Sequence, residues 1–299
     1  MTRRLQLALL QQACPVEASK EDNLETCIRM VRQAAADGAQ LVVTQELFAT
    51  HYFPQAEDEV LFDLAEPIPG PTSQALSALA DELGITLSAS LFEKRTAGVY
   101  HNTTVTFGSD GACIGKYRKM HIPDDPRFYE KYYFTPGDLG WQTFEYDGGG
   151  QQASVGTLVC WDQWFPEAAR LTALRGAELL LYPTAIGYYN DAQHGEPKAT
   201  RAQQRDAWQT IMRSHAIANG VFVAAANRIG TERDLTFWGS SFVCGPDGKI
   251  TAQASADQEE VLHAELDLDA IEQQRRGWPF LRDRRIDAYQ PLYKRLDDA

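Results

Sequence analysis

Three residues of this chain have the types and the neighbours to break a covalent bond: Glu46, Lys119 and Cys160. Glu46 follows the apolar run LVVTQ, Lys119 follows a strand-like stretch ending at Tyr117, and Cys160 ends SVGTLVC. A thiol is a weak nucleophile until its proton is removed. A carboxylate such as Glu46 can take that proton and later activate a water. An ammonium such as Lys119 can balance the carboxylate and hold a developing oxyanion, and the backbone N–H of Trp161 can share that task. A helix start near Pro166 further favours negative charge close to Cys160. Each residue also fits a plainer role. A cysteine ending an apolar strand can simply pack, a glutamate there can cap, and Lys119 sits in a basic run with Lys116 and Arg118. Spacing alone leaves both readings open.

The elements that must position these residues alternate along the chain. LQLALLQ (5–11) predicts a strand, and residues 23–36 carry apolar positions at helical spacing. The short apolar run 39–44 predicts a strand buried on both faces. A helix is expected over 72–83 after Pro69-Gly70-Pro71, and a strand over 85–92. Residues 99–107 and 112–117 form a hairpin through Ser109-Asp110-Gly111. A Pro- and aromatic-rich loop spans 118 to about 140. Strands are expected at 153–159, 178–182 and 221–226, with helices over 166–175 and 202–219. Pro166 near the first turn of the former costs little there. A second hairpin is expected from 237–244 and 249–253 through Pro246-Asp247-Gly248. GSDGACIGK and GPDGKITAQ echo one another, as two similar halves would. A strand at 260–265, a helix over 268–276 and a tail rich in Arg, Asp and aromatics close the chain. Strand ends that converge in an open α/β sheet are where sites form. Mixed sheets covered by helices are the expected architecture, in one domain over 1–299.

Composition excludes several classes. The net charge is −13, and no Lys/Arg run offers the basic stripe that phosphate contacts require, so no nucleic-acid partner is expected. Cys14, Cys27, Cys113, Cys160 and Cys244 form no CxxC pair, which speaks against a disulfide framework and for a reducing, cytoplasmic location. The six histidines show no HxH or HExxH spacing, so no metal is expected. The apolar stretch after Arg3 and Arg4 is short for a leader and is interrupted by Gln6, and no window reaches the length of a membrane span. No GxSxG, GxGxxG or GxxxxGK[ST] segment occurs.

Taken together, VVTQELF around Glu46, GKYRKMHIP around Lys119 and LVCWDQWFPEAAR around Cys160, in that order, resemble the nitrilase superfamily of carbon–nitrogen hydrolases. LYPTAIG (181–187), AANRIG (225–230), WGSSFVCGPDGKI (238–250) and RDRRIDAY (282–289) extend the resemblance over nearly the whole chain. It implies an α/β fold of the α-β-β-α sandwich type. It also implies a Glu46–Lys119–Cys160 triad, a second glutamate at Glu130 in YEKYYFTPGD, and Trp161 N–H in the oxyanion hole. No metal or organic cofactor is implied, and homo-oligomers with the tail from about 277 in subunit contacts are.

The substrate class expected from this resemblance is a small cationic ureido compound, cleaved through a covalent cysteine intermediate. Its ammonium would seek a carboxylate or an aromatic face. Asp124, Asp125, Tyr129, Asp162 and Trp164 are the candidate substrate-binding residues, with turn chemistry a plainer account of Asp125. A substrate ending in a carboxylate would instead need a cation, for which Arg170 is a candidate. Other amidohydrolases of the superfamily are the alternative reading, and a silent ligand-binding scaffold is the alternative of another class.

Overall fold

The computed structural model describes residues 3–190 and 197–297. The first half contains β1 (Arg4–Gln11), α1 (Lys20–Ala36), β2 (Leu41–Val43), α2 (Pro71–Leu83), β3 (Thr86–Thr96), β4 (Val99–Phe107), β5 (Cys113–Arg118) and the single turn α3 (Glu130–Tyr133). The second half contains β6 (Thr143–Gly148), β7 (Gln151–Thr157), α4 (Pro166–Leu174), β8 (Leu179–Thr184), β9 (Gly187–Tyr189), α5 (Lys198–Asn219), β10 (Phe222–Asn227), β11 (Ile229–Glu232), β12 (Leu235–Trp238), β13 (Phe242–Cys244), β14 (Ile250–Gln253), β15 (Glu260–Asp267) and α6 (Asp269–Gly277).

Two six-stranded sheets lie face to face. Their orders are β15-β1-β2-β3-β4-β5 and β14-β13-β10-β8-β7-β6. Alternation along β1 explains the layering. Leu5, Leu7 and Leu9 point between the sheets and pack with Val155, Leu179, Leu181 and Ala224. Ala8 and Leu10 point the other way, onto Cys27, Met30 and Val31 of α1 and Leu76 of α2. On the opposite side Tyr182, Val223 and Ala225 pack beneath Ala169 of α4 and Trp208 and Met212 of α5. The result is the expected α-β-β-α sandwich.

The echo between the two Asp-Gly hairpins has a structural counterpart. Read from β15 and from β6, both sheets show the same pairing series: antiparallel, parallel, parallel, antiparallel, antiparallel. β4–β5 and β13–β14 are equivalent hairpins. β2, which leads to Glu46, is equivalent to β8, which leads to Ala185.

Two expectations need correction. β7 stops at Thr157, so Cys160 does not end a strand; it begins a 3-10 turn over Cys160–Trp164. The stretch 237–244 is two strands. Gly239 and Ser240 take φ of 51° and 56° and break the ladder; β12 leaves to pair with β9 and β11 in a small third sheet, and β13 stays in the second large one. The strands β6 and β9, unremarked in the sequence, close one sheet edge and line the site respectively. Among the described residues no helix is long and apolar enough to cross a membrane. The tail beyond α6 lies on the surface and leaves Trp278, Phe280, Leu292 and Tyr293 exposed.

Candidate active site

β2, β5 and β7 end on one side of the sandwich, and the segments that follow them carry Glu46, Lys119 and Cys160. Lys119 continues the β4–β5 ladder by one step, its N–H donating to Asn102 O at 2.9 Å. The two cross-strand neighbours then converge on one atom. Lys119 Nζ and Asn102 Nδ2 both donate to Glu46 Oε1, each at 2.7 Å. Ser90 Oγ donates to Asn102 Oδ1 at 3.3 Å and accepts from Leu47 N–H at 3.1 Å, which fixes the Asn102 amide with its NH2 toward Glu46. Glu46 Oε2 is left buried without a protein partner. It is the oxygen free to accept a proton.

Lys119 Nζ also donates to Glu130 Oε2 at 2.6 Å, and the Tyr52 hydroxyl donates to Glu130 Oε1 at 2.6 Å. Lys119, Glu46 and Glu130 are all fully buried. Gly137 makes the close packing around the lysine possible: its N–H donates to Lys119 O at 2.8 Å, and a Cβ there would lie 1.9 Å from Arg118 O.

The loop carrying Glu46 is gripped from beneath. Arg228, wholly buried at the end of β10, donates to the carbonyls of Glu46 (3.1 Å), Leu47 (2.8 Å) and Thr50 (2.9 Å). Its charge is met by Glu232 at 2.8 Å, which in turn accepts from Tyr52 N–H. Leu47 sits at φ 50°, a strained value for a branched residue, and this grip holds it. Neither Arg228 nor Tyr52 was singled out in the sequence. The available signal for Arg228 is the one that marks Glu46: a charge within a few residues of an apolar run, VFVAAA for the one and LVV for the other.

Cys160 has φ 39°, in the left-handed region that non-glycine residues rarely enter. Its Sγ lies 3.9 Å from Ala185 O. The residue is 6% exposed and reaches a cavity of about 310 Å³. Trp161, on the cavity wall, stands in the first turn of the 3-10 helix, where backbone N–H groups lie outside the intrahelical ladder. Trp208 Nε1 donates to Gln163 Oε1 at 2.8 Å, tying this turn to α5.

Burial raises the Cys160 thiol well above the ordinary range, and Glu46 adds to this while Lys119 opposes it. The resting sulfur is therefore protonated, and attack requires a base. Lys119 stays charged. Burial works against its charge, but Glu130 and Glu46 outweigh it and raise its pKa above the usual lysine value. Two carboxylates share one ammonium, and Glu130 is pushed up to about 7, first by burial and then by Glu46, with Lys119 pulling the other way.

The raised Glu130 pKa has a signed consequence. Between the ordinary carboxylate value and about 7 the folded protein binds a proton that the unfolded chain has released. This stabilising contribution is complete below the unfolded pKa and is lost as pH rises through about 7. In Glu130→Gln, whose amide mimics the protonated acid, the loss is absent. Urea unfolding at pH 4 and pH 8 should show near-equal stabilities for the two proteins at the lower pH and a variant more stable by about 1–3 kcal/mol at the higher. A constant difference across that range would refute the raised pKa.

The expected substrate-binding residues separate into two groups. Asp125 and Trp164 line the cavity beside Cys160, with Phe128, Tyr189 and Trp238. Asp124 is exposed, and neither it nor Tyr129 lies on the cavity wall. Asp162 does not reach the wall either. It is fully buried, and both its oxygens are bound by protein donors, so the expectation of a substrate ligand there is corrected. Arg170 points elsewhere too, donating to Ala218 O at 2.9 Å. Among the described residues no group of three His, Cys, Asp or Glu side chains is placed to hold a metal ion.

The sequence matches the carbon-nitrogen hydrolase family over residues 6–276. N-carbamoylputrescine amidase of Solanum lycopersicum is 44% identical over 299 residues, which span 97% of this chain and 95% of the tomato protein. Citrullinase of Francisella tularensis subsp. tularensis is 39% identical over 282 residues, 93% of this chain and 94% of its own length. The crystal structure of a carbon-nitrogen hydrolase from Helicobacter pylori G27 superposes with a TM-score of 0.92 at 46% identity, covering 98% of this chain and all of that one.

Proposed function

Since this chain belongs to the carbon–nitrogen hydrolase family and is an amidohydrolase, we propose that its substrate is N-carbamoylputrescine, hydrolysed to putrescine, ammonia and carbon dioxide. One observation carries the catalytic part: Lys119 bridges Glu46 and Glu130 beside the cavity that Cys160 enters, while Glu46 keeps one oxygen unengaged.

Cys160 Sγ attacks the ureido carbonyl as Glu46 Oε2 takes the thiol proton. The carbonyl oxygen becomes an oxyanion held by the Lys119 ammonium and the Trp161 N–H. Glu46 returns the proton to the departing nitrogen, and the C–N bond breaks to leave a cysteine-bound acyl group. Water, deprotonated by Glu46, attacks that carbonyl, and the C–S bond breaks to restore the thiol. One water is consumed overall, and loss of the second nitrogen accompanies release of carbon dioxide. Glu130 has no proton to move in this scheme. It holds Lys119 from the other side, and Tyr52 holds Glu130.

The cavity supports a cationic substrate tail. The charged residues on its described wall are Asp125 and Glu130, with no lysine or arginine among them. Phe128, Trp164, Tyr189 and Trp238 add aromatic faces suited to an ammonium. A carboxylate tail, as in N-carbamoyl-β-alanine or citrulline, would enter this wall without a counter-charge. One well-made hydrogen bond to a charged group is worth about 1.5–3 kcal/mol, or roughly 10–150-fold. Ammonia release should therefore show kcat/KM for N-carbamoylputrescine exceeding those for N-carbamoyl-β-alanine and citrulline by at least about 10-fold. A preference for either acid would overturn the substrate assignment and leave the reaction class standing.

A further inference from the structure

We infer that Asp162 is a positioning residue that sets the Cys160 sulfur against the Lys119 ammonium by tying the nucleophile turn to both flanks of the lysine. The inference rests on the roles proposed above for those two residues. Asp162 Oδ2 accepts from Val159 N–H at 2.9 Å and from the Tyr117 hydroxyl at 2.8 Å. Its Oδ1 accepts from His121 N–H at 3.1 Å and from His121 Nδ1 at 2.7 Å. Val159 is the residue before Cys160, and Tyr117 and His121 lie two residues to either side of Lys119. One carboxylate thus joins segments more than 40 residues apart in sequence at the two places that bracket the chemistry.

The same residue closes the nucleophile turn. Asp162 N–H donates to Val159 O at 3.0 Å and Phe165 N–H donates to Asp162 O at 3.1 Å. Cys160 sits inside the first of these bonds at φ 39°. A backbone in that region persists only where its surroundings over-determine it, and the four donors on Asp162 do so. The lysine side is held as firmly: the His121 ring stacks on Phe165 with centroids 3.7 Å apart, and Tyr117 stacks on Trp141. A misplacement of about 1 Å between reacting groups can cost roughly 10²-fold in rate. Because Asp162 is off the cavity wall, its loss should act on turnover and not on substrate binding.

Asp162→Asn keeps the side-chain shape but turns one acceptor into a donor facing other donors. The expected result is a kcat lower by roughly 10–10²-fold with KM within about 3-fold of the parent. Alkylation of Cys160 by iodoacetamide, followed by peptide mass, should slow as well. Tyr117→Phe removes a single donor and should lower kcat less, again without moving KM. In the Asp162→Asn background it should have no further effect, because the hydroxyl acts through the carboxylate. A folded Asp162→Asn with unchanged kcat overturns the inference. So does a raised KM at constant kcat, or a Tyr117→Phe effect of equal size in both backgrounds. Should Asp162→Asn fail to fold, Tyr117→Phe decides alone: lower kcat at constant KM supports the tie, and unchanged kcat overturns it. Cys160→Ala is measured alongside. Activity retained there brings down the nucleophile assignment and this inference with it. Activity lost there, with kcat intact in Asp162→Asn, brings down this inference only.

Discussion

Cys160→Ala should abolish ammonia release while leaving the fold intact, with kcat lower by about 10⁵–10⁶-fold, the scale seen when a covalent nucleophile is removed. No other group described on the cavity wall offers a nucleophile beside Lys119, and Glu46 without a thiol has no proton to take from the enzyme. The structural cost is small. The side chain is short, its one hydrogen-bond contact among the described residues is the 3.9 Å approach to Ala185 O, and alanine tolerates φ 39° no worse than cysteine does. Thermal midpoints of the two proteins should agree within a few degrees. Mass spectrometry on the parent protein under turnover should find the acyl group on the peptide containing Cys160 and on no other. Residual activity within about 10-fold of the parent, in a folded variant, would defeat the assignment of Cys160.

Lys119→Met should be nearly as damaging to rate and far more damaging to stability. Removing one oxyanion donor costs about 10²–10³-fold. Here the lysine also supplies the charge that Glu46 and Glu130 share, at 2.7 and 2.6 Å. Without it, Glu46 retains Asn102 and Glu130 retains Tyr52, two carboxylates with no cation in a buried site. Glu130, already raised by burial, takes up a proton more readily still, and Glu46 loses the ammonium that orients its Oε1 for base catalysis. A combined loss of about 10⁴-fold or more is expected near neutral pH. Breaking a buried ion pair by deleting one partner destabilises by about 3–5 kcal/mol. Chemical unfolding should show that loss at pH 8 and a smaller one at pH 5, where protonation removes the uncompensated charge. Adding Glu130→Gln should recover part of the stability and none of the activity. A single variant with activity within 10-fold of the parent would remove Lys119 from the mechanism.

The two substitutions differ because the groups they remove are held differently. Cys160 is placed by its backbone: a strained φ, a 3-10 turn and the ties of Asp162. Lys119 is placed by its charge, through two carboxylates at 2.6–2.7 Å. Loss of the first leaves the scaffold satisfied, whereas loss of the second leaves it with unpaired charge.

By itself the sequence determined most of the strands and helices and the chain order of the candidate site, while the layering came from the family resemblance. The near-continuous apolar runs at 7–10, 41–43 and 179–181 suffice for strands buried on both faces, because side-chain direction along a strand is a local property. The same locality made Glu46, Lys119 and Cys160 visible as reactive groups at the ends of apolar segments. It also revealed the paired Asp-Gly hairpins that mark two equivalent sheets. Tertiary structure alone decided which groups meet. No local pattern says that Asn102 shares Glu46 Oε1 with Lys119, or that Arg228 reaches back 182 residues to the Glu46 carbonyl. None says that Asp162 turns away from the cavity to bind the flanks of Lys119. Nor could alternation foresee the break at Gly239-Ser240 that sends β12 into a third sheet, or the φ of 39° that moves Cys160 off its strand. Such features are fixed by hydrogen bonds between residues distant in sequence. Their geometry exists only once the two sheets are stacked, since a buried polar atom takes whichever partner the packing brings within reach.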